Sequence, residues 1–185
     1  MKKRRVVLNT EAHRPAFNDF ADRMHAIENR EGWRSSEVLR YWLDASFRAI
    51  RGRLLIGDAF DANEKEYMAI VKRCRAPQET MKNIAEMLGA VTLALDAEPI
   101  DFVGPVFAEL SAAAEMGQFF TPHHLSYLIA KMTLGDRHDG PYVLCHEPAC
   151  GVGGMVLAAA VAFRESGRCP AQQMHWHMQD VDFRA

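Results

Sequence analysis

Three stretches of this chain carry residues whose types and spacing could do chemistry. The first is Glu147-Pro148-Ala149-Cys150-Gly151-Val152-Gly153-Gly154. Closely spaced glycines let a strand turn sharply into a helix and let a ligand approach the backbone where a Cβ would block it. The helix start beyond them offers free N–H groups, which in an ordinary nucleotide site hold a pyrophosphate. An acidic residue ahead of the turn is a poor neighbour for phosphate and a good one for a cation. Glu147 therefore suits the ammonium or the sulfonium-bearing methionyl part of S-adenosylmethionine. The second stretch is Gln179-Asp180-Val181-Asp182. Asp180 lies 27 residues beyond Gly153, near the ~20 at which a βαβ unit brings an acidic strand end to a ribose. It is preferred over Asp182 because it directly follows an apolar alternation, and a carboxylate can accept bonds from both ribose hydroxyls. The third is Gly117-Gln118-Phe119-Phe120-Thr121-Pro122, where two aromatic residues beside a glycine can wall an adenine or methionine pocket.

The elements that must position these residues follow from pattern. Thr121-Pro122 reads as an N-cap and first helical position, with Leu125, Leu128, Ile129 and Met132 behind it and Gly135 as terminator. Tyr142 to His146 reads as a short buried strand, Met155 to about Glu165 as a helix, and Met174 to Gln179 as a second strand. Strand, glycine turn, helix, strand is a βαβ unit of the kind found in doubly wound sheets. Asp101 is placed to cap a helix from Phe102 to about Ala114, with Pro105 in its first turn. Residues 12–96 are helical in pattern throughout. Phe17, Phe20, Met24 and Ile27 form one stripe; Val38, Trp42, Ala45 and Ala49 form a second, widened by Leu39, Leu43, Phe47 and Ile50. The second helix is expected to be the most buried of the region. Asn63 and Glu66 look like a capping box opening the next helix, and Pro77 opens another with Met81, Ile84, Leu88, Val91 and Leu95 on one stripe.

Composition bounds the function. A formal charge of -2 argues against affinity resting on a wrapped phosphate backbone, which needs clustered Lys and Arg. Arg48, Arg51 and Arg53 form a small basic group, better read as a solvated helix end than as a phosphate contact. Four cysteines without tight paired spacing predict reduced thiols in a cytoplasmic protein. The basic start Lys2 to Arg5 is not followed by a signal-length apolar stretch. The longest apolar run, Met155 to Phe163, is far short of the ~20 residues that cross a bilayer, so no membrane partner is expected. His175 and His177 with Cys145, His146 and Cys150 invite a zinc site, but nothing has CxxC spacing and no metal is expected. His123 and His124 read as surface residues at a helix start.

Gly-Gln-Phe-Phe-Thr-Pro followed by Glu-Pro-Ala-Cys-Gly-Val-Gly-Gly resembles motifs X and I of N6-adenine DNA methyltransferases, most of all the modification subunits of type I restriction systems. Phe102 to Leu110 is similar to the helix preceding motif X in that family. The resemblance covers residues 101 to 185; the region before it is similar only in being a helical domain ahead of a catalytic one. The resemblance implies an α/β protein: a helical N-terminal region, 1–100, and over 101–185 the opening βαβ unit of a Rossmann-like, S-adenosylmethionine-dependent methyltransferase fold, its sheet incomplete in this chain. It implies that Phe120, Thr121 and Pro122 lie on one side of the cofactor, that Glu147, Gly151 and Gly153 meet its methionyl part, and that Asp180 meets the ribose. DNA, reached through the complete enzyme or assembly, and specificity or other restriction-modification subunits are the implied partners. The family's catalytic element is Asn or Asp, then Pro-Pro, then an aromatic ring that stacks on the flipped base. These 185 residues hold eight prolines and no Pro-Pro pair, so no catalytic residue is assigned. The expectation is a fragment or degenerate form of such an enzyme. The alternative is a non-catalytic cofactor-binding or regulatory protein derived from one, and a nicotinamide-dependent oxidoreductase leaves Gln118 to Pro122 unexplained. Two parallel strands with bare edges also predict self-association or a covering partner.

Overall fold

The computed structural model describes residues 10–110, 121–134 and 140–180. The chain forms two compact units, one of Ala12–Asp96 and one of Met1–Glu11 with Ala97–Ala185.

The first unit follows a short 3-10 turn and is built from α1 (Arg14–Glu31), α2 (Ser35–Gly52), α3 (Asp58–Arg73) and α4 (Pro77–Ala97). Phe17, Phe20, Met24 and Ile27 are all buried, as their spacing predicts, and the Phe20 ring meets Trp42 edge-on at 4.9 Å. An aromatic pair of this geometry contributes about 1 kcal/mol beyond the area it buries. Gly32, at φ 73°, ends α1 in the left-handed conformation, its N–H bonded to Glu28 O at 2.8 Å. The last residue of α1, Glu31, is buried and closes the start of α4. Its carboxylate accepts the N–H of Arg75 at 2.6 Å, that of Ala76 at 3.3 Å, and the Thr80 hydroxyl. Pro77 has no N–H to satisfy, and the carboxylate holds the two residues that lead into the helix together with the Thr80 hydroxyl in its first turn.

Two expectations for this unit are corrected. Asn63 does not open a helix: α3 begins at Asp58 after Gly57 at φ 58°, and Asn63 lies buried within it, donating from Nδ2 to Arg48 O at 3.0 Å. A side-chain amide can bond a neighbouring helix as readily as its own start, and the left-handed glycine decides the boundary here. The α2 stripe is also narrower than drawn. Val38, Leu39, Trp42 and Ala45 are buried, but Ala49, Phe47 and Ile50 are exposed. The two apolar rows together exceed the sector of about 100° that a helix commonly turns to its core. Arg48 lies inside α2 and pairs with Asp44 at 2.7 Å and Glu66 at 3.5 Å.

The second unit contains α5 (Val103–Leu110), α6 (His123–Leu134), β1 (Val143–Glu147), α7 (Gly154–Glu165), α8 (Pro170–Gln173) and β2 (Met174–Met178). β1 and β2 pair in parallel, Val143 opposite Met174 through Glu147 opposite Met178, so the α/β expectation and its strand, turn, helix, strand order hold. The single turn α8 was not foreseen; Pro170 in its first position starts it. The core joins Ala130 of α6, Ala159, Ala162 and Phe163 of α7, and Met174 of β2, with Val143, Cys145 and Trp176 packed against it. β1 is half-buried rather than buried: its residues alternate, and Leu144 stands exposed on the other face. The predicted face of α6 is the wrong one. Ser126 and Ala130 are buried, whereas Leu125, Leu128, Ile129 and Met132 are exposed. Small residues on α6 meet the alanines of α7, which lets the two helices approach closely, and size rather than hydropathy selects the contact. Glu165 ties the pair, accepting from the Tyr127 hydroxyl and from Lys131 Nζ at 3.2 Å. The expected end of α5 near Ala114 and the terminator Gly135 lie outside the described residues. No described helix is long and apolar enough to cross a membrane.

Candidate cofactor site

The site forms where β1 and β2 end side by side. Beyond the last strand residues the pairing continues through the backbone: Gln179 N–H donates to Glu147 O and Cys150 N–H donates to Gln179 O, both at 3.0 Å. The turn after β1 is thus laced to the end of β2. Gly153 N–H then bonds Cys150 O at 2.8 Å, closing a tight turn. Gly151 at φ 49° and Gly153 at φ 82° both take the left-handed conformation, which a side chain would strain. Gly153 is also the N-cap of α7 and brings no side-chain cap. The space where its Cβ would stand is open to at least 4 Å, so a ligand can reach this stretch of backbone.

Two carboxylates frame the turn. Glu147, half-buried, folds back so that Oε1 accepts Ala149 N–H at 3.1 Å. Asp180, also half-buried, comes from the end of β2 and accepts Gly151 N–H on Oδ2 at 2.9 Å. Of the seven residues assigned from sequence, Glu147, Gly151, Gly153 and Asp180 therefore converge. Thr121 and Pro122 are exposed at the start of α6, where Pro122 O accepts the N–H of Leu125 at 3.0 Å and of Ser126 at 3.1 Å. The helix consequently begins one residue later than Thr-Pro suggests. Among the described residues no hydrogen bond or ring contact joins Thr121 or Pro122 to the glycine turn. Phe120 and Asp182 lie outside the described residues.

One residue at the site went unrecognised in that role. Asp101, buried, accepts Gly104 N–H on Oδ1 at 2.8 Å, the capping bond expected of it. Its other oxygen lies 3.3 Å from where a Cβ on Gly154, the first residue of α7, would stand. The sequence signal is the pair of glycines that leave room for it, one three residues along and one at the head of a distant helix.

The histidines and thiols stay apart from this chemistry. Cys145 points into the helix-packed core, where burial raises its pKa. His146 and His177 stack on the exposed face at 5.1 Å, and His175 meets Tyr142 edge-on. Opposite faces of one sheet cannot contribute to one coordination sphere, and no group of three metal-ligating side chains occurs among the described residues. His123 is half-buried and stacks on Tyr127 at 6.3 Å.

Geometry of this kind, with a glycine turn and two acidic strand ends, is shared by several nucleotide and cofactor sites. A comparison with family models narrows it. Residues 105–183 match the family described as N-6 DNA Methylase. The matched stretch runs from the first turn of α5, through α6 and the βαβ unit, to just beyond Asp180. Searches of curated proteins and of solved structures return no significant match.

Proposed function

We propose that the second unit is the opening part of an S-adenosylmethionine-dependent N6-adenine DNA methyltransferase domain with a Rossmann-like fold, of the kind found in the modification subunits of type I restriction systems. The observation that carries this reading is the Gly151 N–H bond to Asp180. It locks the glycine turn to the acidic end of β2 within the stretch that matches the N-6 DNA methylases.

The residues present fit the cofactor. Open backbone at Gly153 admits a ligand to the turn. Glu147 and Asp180 bring negative charge to a helix start that would otherwise favour an anion, as suits a sulfonium and an ammonium. Glu147, Gly151 and Gly153 are assigned to the methionyl part and Asp180 to the ribose hydroxyls; Phe120, Thr121 and Pro122 are assigned to the opposite side. When bound, the cofactor supplies an electrophilic methyl group. The turn's part is to hold and orient the cofactor beside the strand ends.

The group that would hold the adenine amine is not among these residues, since no Pro-Pro pair occurs. This polypeptide by itself is accordingly proposed to bind cofactor without methylating DNA, with DNA and other subunits engaged through a larger assembly. Among the described residues the sheet has two strands, and on this reading its edges favour self-association or coverage by a partner. A cytoplasmic setting, in which thiols stay reduced, belongs to the same reading. Calorimetric titration of the chain tests the central point. S-adenosylmethionine or its demethylated product should bind in preference to NAD, and equal or tighter binding of NAD would overturn the reading.

A further inference from the structure

We propose that the groove between α2 and α3 is an anion site for a small molecule carrying one phosphate group, held by Arg40 and Arg73 beside Tyr41. The groove belongs to the first unit, apart from residues 105–183 that match the methylases, so it stands independently of the cofactor reading.

Arg40, Tyr41 and Asp44 of α2 and Glu66, Ile70 and Arg73 of α3 line a cavity of about 240 Å³. Spacings of three and four residues put each set on one stripe of its helix. The two ends of the groove differ in how their charges are matched. At one end Arg48 pairs with Asp44 at 2.7 Å and with Glu66 at 3.5 Å, so both acids already have a cation. At the other end two guanidiniums gather on one ring: Arg40 lies 4.8 Å and Arg73 5.8 Å from the centroid of Tyr41. Arg73 also donates to the Tyr41 hydroxyl at 2.6 Å. Tyr41 is buried and braced on Trp33, the ring centroids 4.6 Å apart, which fixes the surface on which both cations rest. Among the described residues neither guanidinium has a carboxylate within ion-pair distance.

Two like charges held on one ring repel, and an exposed contact of a cation with a ring offsets only about 0.5–1 kcal/mol. A phosphate relieves that repulsion and matches the donors, because each planar guanidinium can bond two of its oxygens. The Tyr41 hydroxyl accepts from Arg73 and keeps its own proton to donate to a third. Asp44 and Glu66, further along the groove, disfavour a second phosphate. A ligand with one phosphate therefore fits better than a polyphosphate or a nucleic-acid strand lying along the groove.

Two-dimensional NMR of the full chain, titrated with inorganic phosphate against sodium chloride at constant ionic strength, tests this. Shifts should saturate and concentrate at Arg40, Tyr41 and Arg73. Arg40→Gln should weaken phosphate binding by roughly fivefold or more, the scale of one partly exposed charge-assisted bond, and Arg73→Gln by at least as much. Arg51→Gln removes the same charge from α2 outside the cavity and should leave affinity unchanged. Circular dichroism follows folding; if Arg73→Gln does not fold, Arg40→Gln carries the test, since Arg40 is exposed. Shifts that fail to saturate, or equal losses in Arg40→Gln and Arg51→Gln, overturn the proposal. A single-stranded oligonucleotide without terminal phosphates is the second ligand. Binding weaker than that of phosphate supports the assignment to one phosphate on a small molecule, and tighter binding that is lost in Arg40→Gln overturns it.

Discussion

Replacing Asp180 by alanine should weaken cofactor binding by about tenfold or more, and the structure supplies two separable reasons. The first is the bond from Gly151 N–H to Oδ2 at 2.9 Å, half-buried, which holds the glycine turn against the end of β2. A hydrogen bond to a charged group is worth about 1.5–3 kcal/mol. Partial exposure argues for the lower end, so about 1.5 kcal/mol of turn stability should go with the side chain. The second is the proposed bond to ribose hydroxyls, whose loss alone would change affinity by about a factor of ten, or ~1.4 kcal/mol. Asp180→Asn separates them, because its carbonyl oxygen can still accept Gly151 N–H while its charge is gone. Thermal unfolding should therefore show Asp180→Ala clearly destabilised and Asp180→Asn less so. Calorimetry with S-adenosylhomocysteine should show both variants weakened, the alanine more. Asp182→Ala is the control and should have the smaller effect. If Asp182→Ala abolished binding while Asp180→Ala bound normally, the assignment of the acidic strand end would be wrong.

Other expectations follow from the same structure. Gly151→Val should be worse for binding than either aspartate variant, since it forces a branched residue to φ 49°; normal affinity in a titration would show that the turn does not approach the ligand. Burial favours the neutral form of Glu31, but its bonds to Thr80, Arg75 and Ala76, with the Arg75 charge, prevail and hold its pKa below the ordinary 4.5. A carboxyl lowered on folding stabilises fully above its unfolded pKa, and that contribution is lost as pH falls through the folded one. Glu31→Gln should thus cost about 2 kcal/mol at pH 7, a difference that shrinks as the pH is lowered through the folded-state pKa; a difference in urea unfolding that stays constant down to the acid-unfolding limit would refute the account. Methyl transfer from labelled S-adenosylmethionine to mixed-sequence DNA should be undetectable with this chain alone. Incorporation that disappears on Asp180→Ala would show that the chemistry needs no Pro-Pro element.

What the sequence made legible depended on whether a residue's role is local. The glycine turn was readable because φ values of 49° and 82° are backbone demands that residue type answers directly. The same holds for Pro77 at the head of α4 and for Phe20, Met24 and Ile27, whose spacing alone puts them on one buried face. Glu147 and Asp180 could be placed side by side because a parallel strand pair delivers its two ends to the same place, and Met178 opposite Glu147 is that geometry in register.

Roles that depend on a partner were misread, each for a physical reason. Leu125, Leu128, Ile129 and Met132 are the most apolar residues of α6, yet the helix buries Ser126 and Ala130. Hydropathy measures the gain from leaving water, whereas the contact between α6 and α7 is decided by how closely two backbones can come. Asn63 has the residue type of a cap, and only the presence of Arg48 O beside it makes it a crosslink. Asp101 illustrates both cases at once. Its bond to Gly104 is local and was foreseen; its approach to Gly154, 53 residues away in the chain, needs the tertiary fold. A carboxylate that caps one helix and leans on the start of another has a single sequence signature, the absence of two side chains, and absent atoms acquire meaning only when the groups that occupy their space are known.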